Sequence, residues 1–158
     1  MIPGVNLPAF KPRYLVFFLT AAVIVAADQL TKVWIRGSLE IGETLWRYGI
    51  LSITRVTPNT GASFGLFPGS TLPLVIVTSI FMIVMLLYVF VLYRRVPWMD
   101  RGLFWWALGL IMGGSVGNFV DRTHPAMNGV TDFVSIGWFP TFNVADSGVT
   151  VGAVLFVL

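Results

Sequence analysis

The stretch from Val130 to Ser147, VTDFVSIGWFPTFNVADS, holds Asp132 and Asp146 among mostly apolar neighbours. A carboxylate beside a bilayer is costly, so an acid kept there marks a functional site by default. Two carboxylates held close together suit acid–base chemistry. Both cannot ionise easily, one pKa rises, and the pair can share a proton. Each aspartate also has a structural alternative. Asp132 could be an ordinary loop acid. Asp146 lies three residues after Asn143, the spacing of a capping box at a helix start.

Other polar residues stand at helical spacing inside apolar runs. Asn118 and Asp121 are three apart and share a face. Asp121-Arg122 reads as a capped, paired helix end. Asp28 and Lys32 are four apart, the spacing of an ion pair that lets two charges live in an apolar helix. That structural role is favoured over a direct part in chemistry.

Composition narrows the class. The 158 residues are 56% hydrophobic and only 11% charged, against roughly 25% charged in soluble domains. There is no cysteine and a single histidine, His124. This excludes disulfides and thiol nucleophiles, and makes Cys/His zinc sites and histidine-based triads poor fits. The net charge of +3 comes from few residues and forms no basic run, so a nucleic-acid surface is not expected.

The elements that must position these groups are membrane helices. Apolar runs predict spans over about 14–35, 71–93, 102–119 and 144–158 in one integral membrane domain. The last has 15 residues and no polar stop, so it is expected to continue past Leu158. Val25-Ala26-Ala27 resembles a signal-peptide cleavage site, but Leu30, Val33, Trp34 and Ile35 carry the apolar pattern beyond it. Gly113 and Gly117 form a GxxxG that admits close helix packing. Trp105 and Trp106 are expected at one membrane interface. The segment 37–69 is richer in polar residues and punctuated by glycines. Leu51-Ser52-Ile53-Thr54 alternates like a half-exposed strand, which predicts a small β-rich platform on the membrane surface. Within it Asn59 to Gly65 reads as a tight turn. Lys11, Arg13, Arg94, Arg95 and Arg101 fall on one side of this plan. Arg36, Arg47, Arg55 and Arg122 fall on the other, in longer loops. The bias places both termini in the cytoplasm and the platform and both aspartates toward the outer face.

Five short motifs appear in order on this plan: Asp28-Gln29-Leu30-Thr31-Lys32, Asn59-Thr60-Gly61-Ala62-Ser63-Phe64, Asn118-x-x-Asp121-Arg122, Val130-Thr131-Asp132-Phe133 and Phe142-Asn143-Val144-Ala145-Asp146-Ser147. Each is weak alone; together, over nearly the whole chain, they resemble the lipoprotein signal peptidase family, signal peptidase II. The resemblance implies an intramembrane aspartic endopeptidase of the bacterial inner membrane. It would cut signal peptides from diacylglyceryl-modified prolipoproteins, just before the lipidated cysteine, with no metal or other cofactor. It maps the catalytic pair onto Asp132 and Asp146. Substrate-binding positions fall on Asn59, Asn118, Arg122 and Asn143, and supporting polar positions on Asp28, Lys32 and Asp121. The segment Trp138 to Thr141 departs from the family pattern by being short. The partners implied are the prolipoprotein and membrane lipid. A site complete within one chain suits a monomer. The competing class is a small non-enzymatic transport or assembly protein using intramembrane carboxylates. No repeated half supports a transporter.

Overall fold

A computed structural model describes residues 11–61, 71–95 and 102–158. The second half of the Asn59–Gly65 turn and the loop holding Trp98, Asp100 and Arg101 lie outside them. The described residues form four α-helices, α1 (Pro12–Ser38), α2 (Thr71–Phe90), α3 (Gly102–Thr123) and α4 (Val144–Val157), with one strand pair between α1 and α2 and another between α3 and α4. Strands β1 (Thr44–Tyr48) and β2 (Leu51–Thr54) follow α1, and β3 (Val134–Ile136) and β4 (Phe139–Phe142) precede α4. The first three helices are long and apolar enough to cross a membrane; α4, at 14 residues, is shorter.

Pro12 opens α1 at a position where its missing N–H costs nothing. The helix runs past Ile35, where the apolar pattern stops, to Ser38. Its last turn is held by Arg55, the residue after the second strand, whose Nη1 donates to the carbonyls of Arg36 and Leu39 at 3.1 and 2.6 Å. A cation there also suits the negative end of the helix dipole. Helix α2 is apolar on all sides. It buries only Met85 and Val89, so most of its surface is suited to lipid.

Helix α3 is central and packs on α1, α2 and α4. Its glycines let the neighbours approach. A methyl on Gly113 would sit 2.7 Å from the Ala21 carbonyl oxygen of α1, and one on Gly117 would sit 2.6 Å from Asp28 Oδ2. The GxxxG therefore serves the α1–α3 contact, while Gly114 abuts Ala145 of α4. At the opposite end of the bundle, Tyr14, Tyr93 and Trp105 form an aromatic knot with Arg13 over the Tyr93 and Trp105 rings. Only half of the expected tryptophan pair faces outward: Trp106 is 52% exposed but Trp105 is 3% exposed. Neighbouring residues point about 100° apart on a helix, so one side chain turns into the core.

The sheet is the larger departure. The platform is not confined to 37–69. All four strands form one antiparallel sheet in the order β1-β2-β3-β4, with Ser52 paired to Ser135. Half of it comes from the stretch between the two aspartates. Both hairpins turn tightly through a glycine at positive φ, Gly49 and Gly137. The tips are joined where Gly137 N–H donates to the Ile50 carbonyl at 2.8 Å. What looked like a short connection is thus a strand pair. Ile35, Leu39 and Phe133, with Ile53, Val134 and Val144 beside them, seat the sheet on the ends of α1 and α4.

Candidate active site

The lower part of the site is a buried ionic cluster. Asp28 and Lys32 form the expected i,i+4 pair at 2.8 Å, and both are 0% exposed. The pair extends further than its spacing suggests. Lys32 Nζ also lies 3.2 Å from Asp121 Oδ2 and donates to Asn118 Oδ1 at 3.0 Å, which uses all three of its donors. Arg36 approaches Asp121 at 3.7 Å and donates to Thr131 Oγ1 at 3.0 Å. Asp28 Oδ1 accepts the Ala145 N–H of α4 at 2.9 Å, and Asp121 Oδ2 accepts the Thr131 N–H at 3.0 Å. The cluster therefore locks α1, α3, the loop before β3 and the start of α4 together.

Asp121 and Arg122 are not the paired helix end that their adjacency suggests. Asp121 faces Lys32 and Arg36. Arg122 turns away and donates from Nη2 to the Gly61 carbonyl at 3.4 Å. Consecutive helical residues diverge too far to pair with each other.

Above the cluster, three asparagines hold the two candidate carboxylates. Asn143 is fully buried and caps α4: its Oδ1 accepts the Asp146 N–H at 2.9 Å, while its own N–H donates to Asp146 Oδ2 at 3.2 Å. Its Nδ2 donates to Asp132 Oδ1 at 2.7 Å. One short side chain thus touches both aspartates. Asn118 Nδ2 donates to Asp146 Oδ1 at 2.7 Å, and Asn59 Nδ2 donates to Asp132 Oδ2 at 3.0 Å. Asn59 is itself fixed by a backbone bridge to Val130 and by the Gly61 N–H on its Oδ1.

The amide orientations follow from the partners. Lys32 can only donate, so Asn118 must turn its oxygen to Lys32 and its NH2 to Asp146. A backbone N–H forces the same choice on Asn143. These asparagines spend their side chains on the aspartates. Their polar side-chain atoms are paired within the site, so in this structure they fix the positions of the two acids. Among the four positions mapped to substrate binding, Arg122 keeps spare capacity: its buried Nε has no partner. It lines a polar cavity of about 270 Å³ with Thr78, Ser115, Asn118, Asp146 and Thr150.

Gln29, Arg36 and Thr131 are not singled out by their spacing, yet they take part in this network. Gln29 Nε2 reaches Asp28, the Gly117 carbonyl and Asp121. A signal existed for Arg36, which continues the Asp28–Lys32 stripe by one further helical step of four.

Asp132 is 3% exposed. Burial first, and the neighbouring Asp146 second, push its carboxyl from the ordinary 3.8 up to about 6, against the hydrogen bonds from Asn59 and Asn143. Between those values the folded chain binds more protons than the unfolded one. This contribution to stability is therefore full below 3.8 and lost as pH rises through about 6. Thermal unfolding in detergent should show the wild type losing roughly 3 kcal/mol across that window from this group. In Asp132→Asn this component of the slope should vanish. An unchanged slope would contradict the shift.

Similarity to known proteins agrees with this geometry. Residues 20–158 match the family model described as signal peptidase (SPase) II. A lipoprotein signal peptidase of Rhodococcus jostii is 40% identical over 96% of this chain and 75% of its own length. One from Dehalococcoides mccartyi is 41% identical over 92% of this chain and 89% of its own. A bacterial membrane enzyme solved by the in meso method superposes with a TM-score of 0.73 at 31% identity, covering 88% of each chain. With the match running through the first helix, the sheet and the last helix alike, the chain belongs to the signal peptidase II family.

Proposed function

We propose that this protein is an aspartic endopeptidase that removes the signal peptide from diacylglyceryl-modified prolipoproteins, with Asp132 and Asp146 as its catalytic pair. Family membership carries the coarser statement: it is a bacterial membrane peptidase that cleaves prolipoprotein signal peptides. The observation that carries the finer one is the pair itself. A buried carboxylate, Asp132, and a half-buried one, Asp146, are tied through Asn143, and Asp146 lines a polar cavity beside Arg122.

The pair shares one proton. Its ionised member takes a proton from water, and the resulting hydroxide attacks the scissile carbonyl carbon. The protonated member donates to the carbonyl oxygen as charge develops there. When the C–N bond breaks, a proton passes to the departing amine, and the pair returns to its starting state. No covalent enzyme intermediate forms. The fixed amide donors keep both carboxylates oriented without rearrangement during the reaction. Arg122 is positioned to hold a substrate carbonyl or head-group oxygen, while Asn59, Asn118 and Asn143 position the acids and Asp28, Lys32 and Asp121 support them.

The chain acts as one integral unit in the cytoplasmic membrane, as a monomer, with four spans. α4 supports the fourth: although short, it runs back along α3 until Phe156 meets Phe104, ring centroids 5.1 Å apart. The basic residues near the start of α1 and between α2 and α3 favour cytoplasmic termini, which puts the sheet and the acids at the outer face.

Purified protein in detergent should cut a diacylglyceryl-modified precursor immediately before the lipidated cysteine, as read by product mass. The same precursor with an unmodified cysteine should be cut far more slowly. Failure of the folded protein to cut the modified precursor would sink the proposal.

A further inference from the structure

Asp146 stands at the meeting of two grooves on different flanks of α4. On one flank, the polar cavity leads by way of Val149 into an apolar groove of about 540 Å³ between α2, α3 and α4. Its walls include Phe81, Met85, Tyr88, Leu108, Val149 and Phe156. The α2 and α4 members recur at helical spacing, so this groove runs lengthwise down the bundle, as a helix-accepting groove does. On the other flank lies a second cavity of about 700 Å³, roofed by the sheet. It is bounded by Ile50, Ile136, Trp138, Phe139 and Phe142 above and by Val151 of α4 beside it. Along α4 it reaches no further than Val151, so it stays near the dyad. Asp146 and Thr150 line both the polar cavity and the sheet-roofed groove.

The substrate chemistry requires two exits from the dyad. The signal helix lies N-terminal to the cut bond. The cysteine, with its acyl chains, lies immediately C-terminal to it. Two bulky apolar groups on opposite sides of one peptide bond cannot occupy one groove. The lengthwise groove suits the helix. The sheet-roofed groove is short, apolar and open toward the lipid-facing side of α4, where Val151 and Val154 are 51% and 56% exposed.

Resting on the peptidase reading above, we infer that the groove between α4 and the β3–β4 hairpin is the binding site for the acyl chains carried by the substrate's lipidated cysteine. The chains pass under Trp138 and Phe139 and on into the bilayer. The sheet is thereby a reader of lipidation, since a precursor without acyl chains leaves the groove unfilled.

Two precursors identical except for a dipalmitoylglyceryl or a dibutyrylglyceryl group on the cysteine test this. The wild type should favour the long-chain form by at least about tenfold in kcat/KM. Val151→Trp and Ile136→Trp, which fill the groove, should lower long-chain kcat/KM at least about tenfold and leave the short-chain value within about twofold. A photoreactive group at the end of one acyl chain on the wild type provides a readout independent of any variant. Labelling of the β3–β4 hairpin or the Val151 region supports the assignment. Labelling confined to the Phe81–Tyr88 face of α2 overturns it, as do groove-filling variants that treat both precursors alike. If the wild type cleaves neither precursor, the peptidase reading fails and the groove assignment falls with it; cleavage without chain-length selectivity defeats the groove alone.

Discussion

Asp146→Asn protein, folded and purified beside the wild type, is expected to lose cleavage of the modified precursor by at least about a thousandfold, and Asp132→Asn by a similar factor. The amide cannot take a proton from water, and it cannot hold the shared one. It also mismatches its surroundings. Asp146 accepts from Asn118 Nδ2 and from the Asn143 N–H, so an amide nitrogen at either oxygen would face a donor. That mismatch costs about 1–3 kcal/mol, enough to lower a melting temperature but not to unfold the chain. Size-exclusion profile and circular dichroism report the fold, and product mass reports turnover. Appreciable cleavage by well-folded Asp146→Asn would remove that residue from the chemistry.

The largest effect on stability should come from Lys32→Met. Lys32 and Asp28 are both 0% exposed and Asp121 is 1% exposed, so losing the ammonium strands Asp28 and leaves Asp121 with only the longer 3.7 Å contact to Arg36. Breaking a buried pair from one side costs about 3–5 kcal/mol, readable as the shift in unfolding free energy in detergent. A second consequence separates support from orientation. Without Lys32, only Asn143 Nδ2, at 3.1 Å, still holds the Asn118 oxygen turned away from Asp146, so the amide donor to Asp146 is less firmly fixed. Adding Asp28→Asn restores charge balance, because Asp121 still faces Arg36. The double variant should regain part of the stability while cleavage stays at least about tenfold down. If stability and cleavage recover together, Lys32 supports the fold and does not orient the site.

The legible features were those set by local spacing. Asp28 and Lys32 pair because they are one helical step apart. Asn143 and Asp146 form a capping box because three residues separate them. Gly113 and Gly117 admit α1 because both lie on one face of α3. Partners set by tertiary packing were not legible. Asp121 sits beside Arg122 in the chain, yet Lys32, far away in sequence, is the cation it meets. Asn59 looks like a turn former and serves Asp132. Val134 to Phe142 carries only three- and four-residue strands. Their pairing becomes evident only once β2 is alongside, because such short strands need a neighbour to stand.

The Ala145 N–H held by Asp28 joins two residues 117 positions apart, and its consequence lies in the order of synthesis. Asp28 and Lys32 are both in α1 and can pair within it, but the acceptor on Asp28 waits for α4, which is made after it. Until then Asn143 has no cap to form, and Asp146 has not been translated. A chain in which α4 has not been made therefore lacks the second acid of the proposed pair. Under the proposed function, hydrolysis therefore waits until α1 and α4 close on each other.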